Sequence, residues 1–211
     1  MSLIGDGTNR KLNYTGKLHK ARIVNFNLPA GITCPCRGEC EKYCYAKTGN
    51  YTFSSTADSI MVHYLVSQHD EFVDLMVRDL ERLYSRAMEK GLEKFYVRLH
   101  DSGDFYSKEY LLKWVQIAQS LPHIMFYGYT KSISMVKSVA LPDNMVITFS
   151  HGSTEEYLIS EDDRQAKVFP TAKDIPEGWE DGSEDDLVMF NSKKIALVAH
   201  GAKKNAVRLH Y

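Results

Sequence analysis

The chain has 211 residues, of which 44% are hydrophobic and 25% are charged, and its formal net charge is −1. This composition predicts a single compact domain, residues 1–211, with a full apolar core. The balanced charge does not indicate a strongly basic surface, so nucleic acid is not signalled as a partner, and a local basic patch stays open. No stretch approaches the roughly 20 apolar residues that span a membrane, and no apolar run near the start marks a signal peptide. We therefore expect a cytoplasmic protein with no membrane partner.

Strands and helices alternate in the predicted order of elements. Residues 1–18 are polar and predict irregular structure, whereas residues 21–28 alternate apolar and polar side chains as a strand does. Apolar residues at helical spacing then predict one long helix or two consecutive helices. A capping box of Ser55 and Asp58 marks the start of this helical region, and a stop signal lies at residues 90–91.

Three further strand-like runs follow, at residues 95–99, 124–129 and 145–149. Helical segments that begin at Ser107 and near Ser132 separate them. This alternation predicts a parallel sheet with right-handed crossovers. Because a complete eight-stranded barrel takes about 250 residues, the predicted fold is α/β: an incomplete (β/α) barrel, with a mostly parallel sheet and helices outside.

The pattern weakens in the last quarter of the chain. We therefore assign a partial barrel core to residues 19–152, with a cysteine loop at 33–46, and a variable C-terminal extension to residues 153–211. Within the extension, short strands are predicted at Lys167–Phe169 and Lys194–Ala199. The acidic, turn-rich segment between them, residues 173–186, is predicted to be a solvated loop.

All four cysteines of the chain lie in the cysteine loop, with the spacing C-x-C-x3-C-x3-C: Cys34, Cys36, Cys40 and Cys44. Thiolates are soft ligands that select iron–sulfur clusters, zinc or copper(I). In a reducing compartment, such a cluster of cysteines indicates a metal or catalytic site rather than disulfides. All four are therefore candidate metal ligands.

The spacing favours an iron–sulfur cluster over zinc. A [4Fe–4S] cluster held by four cysteines is coordinatively full, whereas one held by three keeps an iron open for a ligand. Zinc also accepts four thiolates, but its ligands more often arrive as two separated C-x2-C pairs, and the sequence has no second pair. The spacing alone leaves open whether three or four of the cysteines bind metal.

Polar residues follow the predicted strands where ligands usually bind in parallel α/β proteins, at the carboxyl ends. The first strand leads to the cysteine loop, the second to His100–Asp104, the third to Tyr127–Lys131 and the fourth to Ser150–His151. We expect these groups to share one rim, and we interpret Arg98 as a salt-bridged structural residue. The candidate cofactor-binding residues are Ser102, Gly103, Asp104, Tyr129, Lys131 and Ser150.

Four segments resemble the gene product 88-like, or three-cysteine-motif, proteins of phages: NLPAGITCP, CEKYCYAKTGNY, RLHDSGDFYSKEYLLKW and FYGYTKS. They occur in family order over about residues 25–152. By extension, the chain is distantly similar to radical S-adenosylmethionine (SAM) enzymes, which carry a three-cysteine loop after the first strand of a partial TIM barrel. The resemblance implies a radical-SAM-like barrel and a phage protein that acts in the host cytoplasm.

The resemblance also bears on which cysteines are metal ligands. The family pattern C-P-x4-C-x3-C maps to Cys34, Cys40 and Cys44 and makes Cys36 an extra cysteine. The common radical-SAM spacing, C-x3-C-x2-C, is matched neither by this triplet nor by the one that starts at Cys36, so the ligand set stays open.

In radical SAM enzymes, a glycine-rich acidic turn after the second strand holds the amino group of SAM, and Ser102-Gly103-Asp104 stands in the equivalent place. Glycine permits close approach of the backbone, and a carboxylate accepts hydrogen bonds from an ammonium group. The alternative role for Asp104 is a charge that favours the start of the next helix.

The resulting hypothesis is a small radical-SAM-like enzyme that binds a [4Fe–4S] cluster and SAM and receives electrons from a reductant protein. The alternative is a non-catalytic iron–sulfur or zinc module that acts as a structural or redox-sensing interaction protein. The sequence identifies neither the substrate nor the oligomeric state.

Overall fold

A computed structural model describes residues 3–4 and 10–199 of the chain. Its centre is one curled sheet of seven parallel strands that forms a half barrel, in the order β1-β2-β3-β4-β5-β7-β6. The predicted parallel sheet and incomplete barrel are confirmed. The strands are β1 (Ala21–Phe26), β2 (Lys94–Leu99), β3 (Met125–Thr130), β4 (Met145–Ser150), β5 (Gln165–Phe169), β6 (Glu180–Asp181) and β7 (Lys194–Val198).

Helices precede β1 and connect β1 to β4, whereas the later strands are joined mainly by short 3-10 turns. None of the helices within the described residues is both long and apolar enough to cross a membrane. The helices are α1 (Arg10–Leu18), α2 (Cys40–Tyr43), α3 (Ser54–Ser67), α4 (Phe72–Glu89), α5 (Lys108–Ser120) and α6 (Ile133–Lys137).

The two faces of the sheet have different roles. The outer face packs against α4 and α5, and its main apolar core includes Phe26, Val97 and Phe126 from the strands and Phe72 and Trp114 from the helices. Alternate side chains point to the opposite, inner face of the half barrel. That face carries a smaller apolar cluster and several buried polar groups, and it therefore shapes the site.

Two predictions about helix starts are wrong. Residues 10–18 form α1 rather than irregular structure, because Leu12 is buried among Ala21 and Ile23 of β1 and this contact stabilises an otherwise polar helix. The predicted capping box of Ser55 and Asp58 is also wrong. Helix α3 begins at Ser54 with no side-chain cap, because a 3-10 turn leads directly into it.

Two other helix boundaries are confirmed. The Ser107 side chain accepts a hydrogen bond from the backbone N–H of Tyr110, so it caps α5 as predicted. The long helical region is two helices, and the second ends at Glu89, just before Gly91, whose φ of 75° is readily adopted by glycine.

The C-terminal extension continues the same sheet instead of forming a separate layer. Strands β5 and β7 match the predicted ones, and β6 is a two-residue strand of two exposed acidic residues at the edge of the sheet. The prediction that residues 173–186 form a solvated loop is wrong at its last residue. Asp186 is only 2% exposed and pairs with the buried Arg98 and the half-buried Lys11 inside the half barrel.

Candidate metal and cofactor site

A cavity of about 240 Å³ lies at the carboxyl ends of the strands. Three of the four cysteines line it: Cys34, Cys40 and Cys44. The remainder of its wall comes from other residues of the segment 30–47 and from the ends of β2, β3, β4, β5 and β7 with the turns that follow them. All six residues predicted to bind a cofactor line the same cavity: Ser102, Gly103, Asp104, Tyr129, Lys131 and Ser150. The expected shared rim is therefore present in part, because Tyr127 is buried in the inner cluster and His151 is hydrogen-bonded to Glu156 and Gln165, and neither lines the cavity.

Cys36 is placed differently from the other three cysteines. Its side chain is not part of the cavity wall and instead forms hydrogen bonds with Glu155 and Ser132. Burial and the neighbouring Glu155 carboxylate raise the pKa of Cys36 to about 11. Cys36 therefore belongs to a contact between the cysteine loop and the loop that follows β4.

The electrostatics show that the three cavity cysteines lie near one another. Burial raises the pKa of Cys34 to about 11, and Asp104, Cys44 and Cys40 act in the same direction, whereas the backbone N–H of Gly31 lowers it by donating to the Cys34 Sγ at 3.4 Å. All four thiols are free rather than disulfide-bonded. Thiols near each other in a partly buried cavity disfavour multiple negative charges, and a bound cation would relieve that repulsion.

The described residues do not form an assembled site for a single metal ion. Among residues 3–4 and 10–199, no group of three or more His, Cys, Asp or Glu side chains surrounds one point closely enough to hold one. A closed zinc site needs four donors about 2.3 Å from one centre, whereas in a [4Fe–4S] cluster each cysteine binds a different iron. The three cavity thiols are soft donors, so their chemistry fits either group.

The start of the cysteine loop packs against the turn after β2. The backbone N–H of Leu28 donates to the carbonyl of Ser102 at 2.8 Å, and the Ser102 hydroxyl donates to the Leu28 carbonyl at 2.7 Å. A Cβ at Gly103, whose φ is 82°, would lie 2.6 Å from the Thr33 Oγ1. Only glycine therefore fits between this turn and the residue before Cys34.

The end of the cysteine loop is tied to the same turn. The Tyr45 hydroxyl, one residue after Cys44, donates to the carbonyl of Asp101. Asp101 is in turn held by Asn27, whose side-chain oxygen accepts from its backbone N–H at 2.8 Å, and by Asn25, whose amide donates to its carboxylate at 2.7 Å. The turn after β2 thus fixes both ends of the loop.

The middle of the loop rests on the segment after β4. Arg37 forms an isolated antiparallel bridge with Ser153, and the Cys36 carbonyl accepts from the backbone N–H of Thr154 at 3.1 Å. A Cβ at Gly38 would lie 2.9 Å from the carbonyl oxygen of Gly152. Close packing of backbone on backbone therefore holds the stretch between Cys34 and Cys40.

Asp104 is satisfied by the protein itself. Its carboxylate accepts hydrogen bonds from the Thr130 hydroxyl at 2.5 Å and from the backbone N–H groups of Phe105 at 2.7 Å and Lys131 at 2.8 Å. Burial raises the pKa of Asp104, although these three donors oppose the shift. These hydrogen bonds join the β2 and β3 turns, and the residue also borders the cavity, so its predicted contact with a cofactor stays a prediction.

Lys131, Ser150 and Tyr129 supply polar side chains on the opposite wall. The Lys131 ammonium donates to the Ser150 hydroxyl at 2.8 Å and lies near enough to Asp104 to lower the pKa of that carboxyl. Tyr129 presents its ring next to Arg98, whose guanidinium carbon lies 4.4 Å from the ring centroid. This wall combines a cation and an aromatic ring, which suits a ligand with an anionic group and a planar part.

A family model described as gene product 88 matches residues 2–209. The chain belongs to the gene product 88 family. No curated protein and no solved structure matches it.

One functional feature of this gene product 88 family member was not predicted, namely the buried charges beneath the cavity. Arg98, on the inner face of β2, lies 3.2 Å from Asp101 and 3.3 Å from Asp186, and Lys11 of α1 lies 2.6 Å from Asp186. Burial would lower the pKa of Arg98, but Asp186 and Asp101 raise it. The expectation that Arg98 is a salt-bridged structural residue is confirmed.

Sequence reasoning missed Asp186 because it lies in an acidic run that resembles a solvated loop. The available signal was the apolar stretch Leu187–Phe190 directly after it. Leu187 and Met189 are buried in the inner cluster and draw Asp186 inward with them. Burial would raise the pKa of Asp186, but Arg98 and Lys11 lower it below its ordinary value.

His100 was expected on the rim, but its backbone conformation and surroundings were not predicted. It lines the cavity, is only 4% exposed and has a φ of 62°, a left-handed conformation that is uncommon outside glycine. Its Nε2 lies 2.8 Å from the Tyr110 hydroxyl, whereas its Nδ1 is buried without a hydrogen-bond partner among the described residues. Burial and the nearby Arg98 lower the pKa of His100 to about 3, so the imidazole is neutral.

Proposed function

We propose that this protein is a small enzyme of the radical-SAM type. Cys34, Cys40 and Cys44 would hold a [4Fe–4S] cluster, and SAM would bind in the adjoining cavity. The observation that carries the proposal is the separation of the cysteines: three of them line one cavity together with the turn after β2, and Cys36 does not.

The three-cysteine arrangement supports an open cluster. Cys36 is engaged by Glu155 and Ser132, away from the cavity, so the fourth iron would have no cysteine ligand. When bound, a cluster with one open iron supplies the electron that splits SAM, and the 5'-deoxyadenosyl radical so formed takes a hydrogen atom from the substrate. Position agrees with this assignment, because the cysteine loop follows β1 and the Ser102-Gly103-Asp104 turn follows β2, as in the enzymes that the sequence resembles.

The cavity wall offers matching groups for the parts of SAM. Lys131, which donates to the Ser150 hydroxyl and lies near the Asp104 carboxylate, would bind the carboxylate of the methionine moiety. The close packing of Gly103 against Thr33 brings the backbone of the β2 turn next to the cysteine loop, where the amino group would lie. The Asp104 carboxylate fixes these two walls relative to each other through Thr130 and the backbone of Lys131.

The same residues exclude water from part of the cavity. His100, Asp101, Ser102 and Asp104 are each less than 9% exposed although all four border it. A site that is already dry and held by hydrogen bonds can orient a reactive ligand without reorganising.

The proposal is tested by anaerobic reconstitution of the full chain with iron and sulfide. Electron paramagnetic resonance (EPR) of the reduced protein is then recorded with and without SAM, and 5'-deoxyadenosine is assayed. We expect a [4Fe–4S] signal that shifts when SAM is added, together with formation of deoxyadenosine. The matched control is Cys36→Ser, which should behave like the wild type.

Two results would contradict the proposal. Zinc without iron in protein prepared without oxygen would favour a non-catalytic metal module. A cluster whose signal is indifferent to SAM, with no deoxyadenosine formed, would exclude catalysis of this type.

A further inference from the structure

One side of α1 is exposed and carries basic and apolar side chains together. Leu12, Thr15 and Gly16 are buried, whereas the opposite side of the helix faces outward. Tyr14 is 53% exposed and Leu18 is 56% exposed, although both are large and mainly apolar. The exposed stripe of α1 comprises five residues at helical spacing: Arg10, Asn13, Tyr14, Lys17 and Leu18.

The positive charge of this stripe is not neutralised within the described residues. Residues 10–22 contain no aspartate or glutamate. Neither Arg10 nor Lys17 has an ion-pair partner in residues 3–4 and 10–199, whereas Lys11 of the same helix pairs with Asp186. Helix α1 is therefore attached to the barrel through one cation and keeps two others on its outer side.

An acidic segment, residues 177–184, lies beside α1. It contains four exposed carboxylates and no basic residue: Glu177, Glu180, Asp181 and Glu184. None of the four forms an ion pair with another described residue. The Glu184 carbonyl accepts a hydrogen bond from the Thr15 hydroxyl at 3.4 Å, and that hydroxyl accepts from the backbone N–H of Asp186 at 3.1 Å. A positive and a negative area therefore adjoin on one surface.

The adjoining carboxylates decide which partner fits this surface. A nucleic acid or an anionic membrane presents a single sign of charge, so the acidic segment would repel what the stripe attracts. A second copy of the chain presents both signs side by side. When two copies meet about a two-fold axis, each uses the same patch. The stripe of each copy can then face the acidic segment of the other, which is a complementary arrangement of charge.

We propose that two copies of the chain associate through this surface as a two-fold symmetric dimer. Arg10 and Lys17 of each copy contact the acidic segment of the other, and Tyr14 and Leu18 become covered between the two copies. The inference is independent of the proposed function, because none of the residues of the stripe or of the acidic segment lines the cavity.

The composition of the surface indicates a reversible association that depends on salt. Burial of Tyr14 and Leu18 supplies affinity, and tyrosine and arginine are the residue types that commonly contribute most to binding. Obligate dimers bury larger and more apolar surfaces than this one. Exposed charges set the orientation of the two copies, and their attraction is screened as the ionic strength rises.

Sedimentation equilibrium of the 211-residue chain tests for the dimer. We expect a monomer–dimer equilibrium in low salt. Its dissociation constant should rise at least about tenfold between about 50 mM and about 500 mM sodium chloride, because screening weakens the attraction between the stripe and the acidic segment. A wild-type chain that stays monomeric at every concentration in low salt would overturn the proposal.

Reversal of charge tests which surfaces meet. One variant combines Arg10→Glu with Lys17→Glu, and a second combines Glu180→Lys with Glu184→Lys. Each variant alone should be monomeric, because like charges then face each other across both halves of the interface. An equimolar mixture should dimerise as the wild type does, because the reversed patches meet in one half and the unchanged patches meet in the other. A dimer that persists in either variant alone, or a mixture that stays monomeric, would refute the assigned surface.

A matched control separates the interface from net charge. Arg78→Glu with Lys108→Glu makes the same change in net charge as the first variant, on exposed residues of α4 and α5, and should dimerise as the wild type does. Circular dichroism checks that every variant is folded. Equal loss of the dimer in this control would overturn the proposal. Single-stranded DNA or anionic vesicles provide the last arm, and binding that is lost in the Arg10→Glu, Lys17→Glu variant would assign the stripe to a polyanion instead.

Discussion

The cysteine loop has two sides that are held in different ways. On the cavity side, Cys34, Cys40 and Cys44 lie above buried charges, and the loop ends are hydrogen-bonded to the turn after β2. On the other side, Cys36 and Gly38 contact the segment after β4 through backbone packing and the Glu155 carboxylate. The cavity side carries the candidate chemistry, and the other side sets the position of the loop.

This difference gives identical residues different roles. Cys34 and Cys36 are two positions apart, yet one lines a cavity shared with two other thiols and the other is a hydrogen-bond partner of Glu155. In an extended segment two residues at this spacing would point to the same side, but residues 35 and 36 lie in a turn, so the C-x-C spacing itself cannot indicate which cysteine is a ligand. The following variants test this distinction between the two sides of the loop.

The largest expected effect is loss of the cluster. Cys34→Ser, Cys40→Ser and Cys44→Ser should each prevent reconstitution, because a cluster held by two thiolates lacks a ligand for a second iron. Cys36→Ser should retain iron and sulfide at the wild-type level. Iron and sulfide content per chain and the visible absorption spectrum measure the outcome. Loss of iron in Cys36→Ser, with the fold intact, would remove the distinction between the two sides.

Removal of a buried charge on the cavity side should have the largest effect on stability. Asp186→Ala leaves Arg98 and Lys11 without their shared buried partner, and breaking such a pair typically costs about 3–5 kcal/mol. Urea denaturation of wild type and variant measures the free energy of unfolding. Glu161→Ala, which removes an exposed partner of Lys194, is the matched control and should leave stability unchanged. Equal stability of the two variants would show that the buried charges do not support the fold.

The same carboxylate predicts a dependence of stability on pH. Because the folded-state pKa of Asp186 is depressed, its contribution is fully present above the unfolded value of about 3.9 and is lost as the pH falls through the lower, folded value. The stability difference between the wild type and Asp186→Asn should therefore shrink as the pH is lowered below about 4. A difference that stays constant down to the acid transition would argue against this ion pair.

Two glycine substitutions should destabilise the fold to different extents. Overpacking typically costs about 1–3 kcal/mol, and both Gly103→Ala and Gly38→Ala place a Cβ within 3.0 Å of other atoms. Gly103→Ala should be worse because its φ of 82° adds roughly 1–2 kcal/mol of strain. Gly49→Ala, where φ is 60° but no atom lies within 4 Å, isolates the strain. Thermal unfolding ranks the three variants, and a Gly49→Ala cost equal to that of Gly103→Ala would show that close packing plays no part.

The smallest effect is expected at Glu155. Glu155→Ala removes the acceptor for Cys36 and for the backbone N–H and hydroxyl of Ser134, and such partly exposed hydrogen bonds contribute about 1 kcal/mol. Reconstitution should succeed at a slower rate, because the loop is less well positioned while its three cavity thiols remain. Complete loss of iron in Glu155→Ala would indicate that Cys36 or its partner belongs to the metal site after all.

The first four strands were predictable to within two residues because short apolar runs are bounded there by glycine, proline or polar turns. The grouping of the rim residues followed from the parallel order of the strands alone. The predictions that failed concern residues whose partners lie far away in the sequence. Asp186 is buried by Arg98, which lies 88 positions earlier, and α1 is stabilised by β1 rather than by its own composition.

Prediction of the site from the sequence is limited in the same way. The cysteine cluster and the residues of the β2 turn were evident as motifs, but the outward placement of Cys36 depends on Glu155, more than a hundred residues later. The left-handed backbone of His100 has no sequence signature, because histidine adopts that conformation only when its surroundings require it. Long-range contacts of this kind are not encoded in local periodicity.

The last strand of the sheet limits how the molecule can associate. An open sheet normally offers its edge backbone to a strand of another chain, which is a common route to aggregation. Here that edge is β6, which has only two residues, Glu180 and Asp181, both acidic and exposed. An incoming strand would have few backbone groups to pair with and would lie next to two negative charges. The half barrel can therefore stay open without this edge serving as a template for fibril growth.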